Sequence, residues 1–110
     1  MFPPDVPASD PAGVPADARI LDVREPDEWQ AGHIEGALHI PLADLPGRVA
    51  ELPDDETVYV VCRTGRRSGR AVAWLSHNGY EAVNVDGGMG AWVAAGRPMV
   101  SETGETPAVL

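Results

Sequence analysis

The sequence predicts an α/β domain, a parallel sheet of four or five strands with helices on both faces. Three observations carry this. Short apolar, β-branched runs alternate along the chain with segments of helical spacing. Glycine, proline and asparagine punctuate nearly every junction. No period repeats, and at 110 residues the chain is long enough to bury one core without staples.

Residues 1 to 17 hold five of the eleven prolines, Pro3, Pro4, Pro7, Pro11 and Pro15. An extended segment is expected there, with at most an edge strand near Val6 and a helical turn after Ser9. The first strong strand is Arg19-Ile20-Leu21-Asp22-Val23-Arg24. It is followed by a short helix from Glu25 to Gly32, in which Pro26 suits the first helical position. Glu25, Asp27 and Glu28 complement the positive N-terminal end of that helix, and Gly32 suits the cap beyond its last turn.

A turn at Ile34-Glu35-Gly36 leads to a short strand at 37 to 40, stopped by Pro41. Leu42, Leu45, Val49 and Leu52 recur at helical spacing. Because Pro46 restricts the start, the regular helix is expected to begin near Asp44 as its cap. Pro53-Asp54-Asp55-Glu56 reads as a solvated turn. Thr57 to Val61 is the central strand, short and apolar as a strand covered on both faces should be. Ala71, Val72 and Leu75 mark the buried face of the next helix, which ends at Asn78-Gly79. Ala82 to Val85 is a further strand, and Gly87 to Gly96 a glycine-bounded helix. Residues 98 to 110 show little periodicity and read as a loose tail. One domain is therefore expected over 18 to 97.

Composition narrows the function classes. The net charge is -9, and all eight basic residues are arginine. Nucleic acid and anionic membrane surfaces are bound by basic patches, so neither is an expected partner. No apolar run reaches the roughly 18 to 20 residues of a membrane span, and Met1 to Pro7 lacks the pattern of a signal peptide. A cytoplasmic location is the default expectation. The single cysteine, Cys62, rules out an internal disulfide and a multi-cysteine metal site.

That cysteine stands at the end of the central strand, and four of the eight arginines fall between 63 and 70. A lone cysteine in a strand is often a small buried hydrophobe. Here, however, it is followed by a tight loop, Arg63-Thr64-Gly65-Arg66-Arg67-Ser68, and then by a helix N-terminus. Open α/β sheets bind their ligands at such a place. Loop N–H groups, the helix dipole and guanidinium groups all favour a thiolate. The residues alone thus point to a nucleophile that handles a small anion.

Two separated signatures resemble the rhodanese-like family over roughly residues 18 to 97. The first runs Leu21-Asp22-Val23-Arg24, Glu28-Trp29, Gly32-His33-Ile34-Glu35-Gly36-Ala37 and Ile40-Pro41. The second is Cys62-Arg63-Thr64-Gly65-Arg66-Arg67-Ser68, with Gly87-Gly88 and Trp92 downstream. The resemblance implies a three-layer sandwich and a cysteine that accepts a sulfane sulfur as a persulfide, with no metal or organic cofactor. It also implies a small anionic sulfur donor such as thiosulfate, and a thiol, cyanide or a protein as acceptor. Cys62 through Arg67 spans six residues, whereas the rhodanese-related phosphatases use a seven-residue loop. The shorter ring resembles the sulfur-transferring branch and disfavours a cysteine phosphatase or arsenate reductase. A persulfide-binding or regulatory module is the remaining alternative.

On this reading Cys62 is catalytic, and Arg63, Thr64, Gly65, Arg66, Arg67 and Ser68 bind substrate. Arg63, Arg66 and Arg67 are the candidates to hold the donor's oxyanion, a task that suits guanidinium forks. They cannot all point at one anion, so at least one is expected on the surface or in a structural ion pair. Asp22 and Arg24 read as structural support, the carboxylate holding loop backbone and Arg24 pairing with it or with Glu28. Gly87 and Gly88 read as a site of close backbone approach beneath the loop. His33 suits a turn hydrogen bond better than a base. His39 and His77 carry no catalytic signal, and Trp29, Trp74 and Trp92 read as packing residues.

Overall fold

The computed structural model describes residues 6–110, so the expectation of extended chain at Pro3 and Pro4 falls outside the described residues. The strands are β1 (Ala8–Ser9), β2 (Arg19–Asp22), β3 (Leu38–His39), β4 (Val58–Val61) and β5 (Ala82–Val85). The helices are α1 (Pro26–Ala31), α2 (Leu45–Arg48), α3 (Arg66–His77) and α4 (Gly88–Ala94), with short 3-10 turns at Pro11–Gly13, Leu42–Asp44 and Val49–Glu51. The sheet is five-stranded in the order β1-β5-β4-β2-β3, and every pairing is parallel.

Side-chain alternation in β4 builds the layers. Val58, Val60 and Cys62 join Ala71, Val72 and Leu75 of α3 and Leu45 of α2 in one core. Val61 faces the other way and packs with Val85, Met89 and Trp92, the last two from α4. Both cores are dry: Val60, Val61, Leu75 and Met89 have no accessible surface. Each such side chain contributes about 1.5–3 kcal/mol of burial. The chain runs outward from β2 to β3, then crosses back to β4 and continues to β5 on the other side. Strand order therefore reverses between β2 and β4, which makes the C-terminal end of β4 a switch point.

Several local expectations are corrected. Asp44 does not cap a helix. Its backbone is already helical (φ -93, ψ -7), and a capping side chain needs an extended residue. Pro46 and Gly47 leave only four residues in α2, with 3-10 turns on either side. Gly32 caps α1 as expected, in extended backbone. It is needed for space: a Cβ there would lie 2.6 Å from the carbonyl oxygen of Ala108.

The contact at Gly32 belongs to the C-terminal segment, which lacks regular structure but is held down. Val100 bridges His33, Glu102 N–H donates to the Gln30 carbonyl at 3.0 Å, and Ala108 N–H to that of Ala31 at 2.9 Å. Met99 and Val109 pack on the second core. Among the described residues no helix is long and apolar enough to cross a membrane.

Candidate active site

Cys62 follows the last residue of β4, and residues 63 to 65 turn the chain into α3. The loop is fixed from beneath by the start of α4. Met89 N–H donates to the Cys62 carbonyl at 2.8 Å, and Gly90 N–H to the Arg63 carbonyl at 3.2 Å. These bonds draw the first two loop carbonyls away from the sulfur. Gly88 makes the approach possible, because a Cβ on it would lie 2.4 Å from the Cys62 oxygen and 2.6 Å from the Arg63 carbonyl. A Cβ on Gly87 would instead strike Ala91 within its own helix, 2.6 Å away.

With the carbonyls turned aside, donors surround Sγ. Gly65 N–H lies 3.1 Å from it and the Ser68 hydroxyl 3.3 Å. Burial alone would push the thiol pKa up. The Ser68 hydroxyl and the N–H groups of Ser68, Gly65 and Thr64 outweigh that cost and leave it below its ordinary value. Cys62 has no accessible surface. Arg63, Thr64 and Arg66, which follow it, are exposed.

The arginines separate by partner. Arg67 is committed: it donates to both oxygens of Glu28, at 2.7 and 2.9 Å. Arg67's hydrogen bonds hold the Glu28 carboxyl at about 2, and Glu28 in turn raises the Arg67 pKa. Arg63 and Arg66 make no ion pair among the described residues. They are the free positive charges of the loop.

Asp22 and Arg24 are fully buried and pair with each other. Arg24 Nε and Nη2 reach the Asp22 carboxylate at 2.8–3.1 Å, and Arg24 N–H donates to Asp22 Oδ1 at 3.0 Å. Nη2 also bonds the Gly32 carbonyl at 2.7 Å, while Nη1 has no partner among the described residues. The pair therefore braces the end of β2 against α1. His33 and His39 sandwich Trp29, with ring centroids 3.6 and 4.7 Å apart. His33 Nδ1 bonds the Trp29 carbonyl and its Nε2 lies 3.5 Å from the Glu102 carboxylate, while His39 Nε2 bonds the Arg24 carbonyl. His33 thus makes the expected turn bond.

Two functional residues escaped the sequence reading. Glu28, part of the first signature and assigned above to a helix start or to Arg24, is the Arg67 partner. Asn84 is 1 % exposed; its Nδ2 donates to the Gly65 carbonyl at 3.0 Å and its Oδ1 accepts from Ser68 at 2.6 Å. A buried amide within the apolar run of β5 was the available signal, since such groups are hydrogen-bonded to something specific. A hollow of about 280 Å³ beside the loop is lined by Thr64, Gly65, Arg66, Asn84 and Asp86. A larger one, about 420 Å³, is lined by Ile20, Ile34, Trp92, Arg97 and Met99 among others, none of them a residue of this site.

Residues 10–95 match the family model described as a rhodanese-like domain. This chain belongs to the rhodanese-like family. It is 40% identical over 89 residues to a sulfurtransferase of Allochromatium vinosum, covering 80% of this chain and 83% of that protein. It is 44% identical over 71 residues to the thiosulfate sulfurtransferase PspE of Escherichia coli, covering 63% and 68%. Another relative, YqhL of Bacillus subtilis, is 46% identical, the match spanning 68% of this chain and 60% of that one. A rhodanese-related crystal structure from Thermoplasma volcanium superposes with a TM-score of 0.81 at 34% identity, covering 86% of this chain and 97% of the other. Both the fold and the family expected from the two signatures are thereby shown.

Proposed function

We propose that this domain moves a sulfane sulfur from a small anionic donor such as thiosulfate to a thiophilic acceptor, through a persulfide on Cys62. The observation that carries this reading is the ring of donors around Sγ, built from loop N–H groups and the Ser68 hydroxyl, with the thiol held below its ordinary pKa.

Cys62 thiolate attacks the outer sulfur of thiosulfate. The new S–S bond forms as the old one breaks, and sulfite leaves with the electron pair. The negative charge then sits on the terminal persulfide sulfur, where the N–H groups of residues 63 to 68 cradle it. Arg63 and Arg66 hold the sulfonate end of the donor, since neither is tied to a carboxylate among the described residues and both are exposed. Arg67 keeps the loop in place through Glu28. In the second half, a thiolate, cyanide or the thiol of a protein attacks the terminal sulfur, and Cys62 leaves as the thiolate it began as. No step requires a metal or an organic cofactor. A reducing compartment such as the cytoplasm suits a single working thiol.

Steady-state release of sulfite from thiosulfate, with cyanide as acceptor, tests the reading. Turnover that vanishes in Cys62→Ser is the expected result. No sulfite from the native protein, together with hydrolysis of a phosphate ester, would replace the sulfurtransferase by a phosphatase.

A further inference from the structure

Ser68 stands between two acceptors and has one proton to give. Its Oγ is 2.6 Å from Asn84 Oδ1 and 3.3 Å from Cys62 Sγ, and all three residues are buried. The direction of the amide is not free. The Gly65 carbonyl can only accept, so the group that Asn84 presents to it at 3.0 Å must be the amide NH2. Oδ1 therefore faces Ser68, and only the Ser68 hydroxyl can donate in that bond. While it does so, the lone pairs of Oγ face the sulfur, an arrangement that suits a protonated thiol as donor. When the thiol proton leaves, the hydroxyl must turn to the sulfur, and Oδ1 of the buried Asn84 is left without its proton. An unpaired buried acceptor is costly.

The geometry points to Asn84 as a positioning residue for the sulfur chemistry: it claims the Ser68 proton while Cys62 is a thiol or persulfide and yields it only when charge develops on Sγ. The bare thiolate is thereby the one state in which the network is incomplete. In the persulfide the charge has moved to the outer sulfur under the loop N–H groups, and the hydroxyl returns to Asn84. Asn84 thus keeps the thiolate reactive, because a sulfur nucleophile weakens as its proton affinity falls, and favours the loaded form. The inference rests on Cys62 being the sulfur carrier, but its test follows the thiol proton and not sulfur transfer.

The charged groups on the elements around Cys62 are Arg67 of α3, which is tied to Glu28 of α1, Arg63 of the loop, Arg66 at the start of α3, and the buried Asp22–Arg24 pair at the end of β2, which pairs with β4; Asp86 lies just beyond β5. Substitution at 84 or 68 leaves all of them in place. The thiolate absorbance of the single cysteine, followed against pH, gives its titration midpoint in the native protein, in Asn84→Leu, which keeps the number of side-chain heavy atoms, in Asn84→Ala, and in each combined with Ser68→Ala.

With Asn84 replaced, Ser68 is free to serve the sulfur, and the midpoint falls by roughly half a unit or more. In the Ser68→Ala background the same replacement produces no fall. A loosened loop would raise the midpoint instead, so a rise, or an equal shift in both backgrounds, overturns the assignment. A reading on the native protein covers the case in which the variants do not fold. The Asn84 side-chain carbonyl resonance should inflect at the Cys62 midpoint, and a flat resonance would equally overturn it. Thiosulfate loading of the native protein is scored separately by intact mass. A midpoint shift without any loading would leave the proton assignment standing and remove the sulfurtransferase reading.

Discussion

Glu28 and Arg67, 39 residues apart in the chain, meet through two hydrogen bonds of 2.7 and 2.9 Å. The contact joins α1 to the first turn of α3, and so fixes the loop between Cys62 and that helix. Its electrostatics are testable. Arg67 lowers the Glu28 pKa from 4.5 to about 2. A carboxylate depressed in the folded state stabilises fully above its unfolded value and loses that contribution as pH falls through the folded one. The window is thus about 4.5 down to 2. Glu28→Gln should lose about 1–3 kcal/mol near neutral pH, less than the full shift implies because both side chains are partly exposed. The difference from the native protein should shrink in acid. Urea denaturation at both ends of the window measures it; equal stability at neutral pH would show that the pair contributes nothing.

Because Arg67 is committed to Glu28, the loop arginines should differ in kind. Arg63→Ala and Arg66→Ala should each raise KM for thiosulfate about 10-fold, the loss of one charge-assisted contact worth about 1.4 kcal/mol. Their denaturation midpoints should stay near native. Arg67→Ala should instead lose stability. Kinetics and melting curves on the three variants separate the roles, and the reverse pattern would make Arg67 the donor ligand.

Gly88→Ala tests the platform under the loop. The added methyl would sit 2.4 Å from the Cys62 carbonyl oxygen at a backbone φ of +60, a conformation that L residues rarely adopt. The backbone must move, at a cost of about 1–3 kcal/mol or more. The thiol midpoint should rise as well, since the carbonyls of Cys62 and Arg63 lose their anchors. Unchanged stability and an unchanged midpoint would separate the loop from α4.

Breaking the buried ion pair at β2 should be more damaging than any surface change. Asp22→Asn or Arg24→Met leaves one charge without its partner in a site with no accessible surface. A loss of about 3–5 kcal/mol is expected. Chemical denaturation reads it directly, and a loss below about 1 kcal/mol, the scale of an exposed pair, would contradict a structural role for these residues.

What could be read in advance was whatever local pattern decides. The buried strand Val58 to Val61 and the turn at Cys62 are written in neighbouring residues. Long-range partners are not. Glu28 looked like part of a helix start, and only the fold brings Arg67 to it. Asn84 read only as part of the strand Ala82 to Val85, and its use depends on Gly65 and Ser68 reaching it from another element. The C-terminal segment shows little periodicity because its hold is by backbone bonds to residues 30, 31 and 33 and by the widely separated side chains of Met99 and Val109.

The central claim is that Cys62 carries the sulfur. Intact-mass measurement after incubation with thiosulfate tests it most directly. A gain of one sulfur atom that is reversed by thiol and absent from Cys62→Ser is the predicted result. A native protein that stays unmodified, or gains the same mass without Cys62, would contradict it.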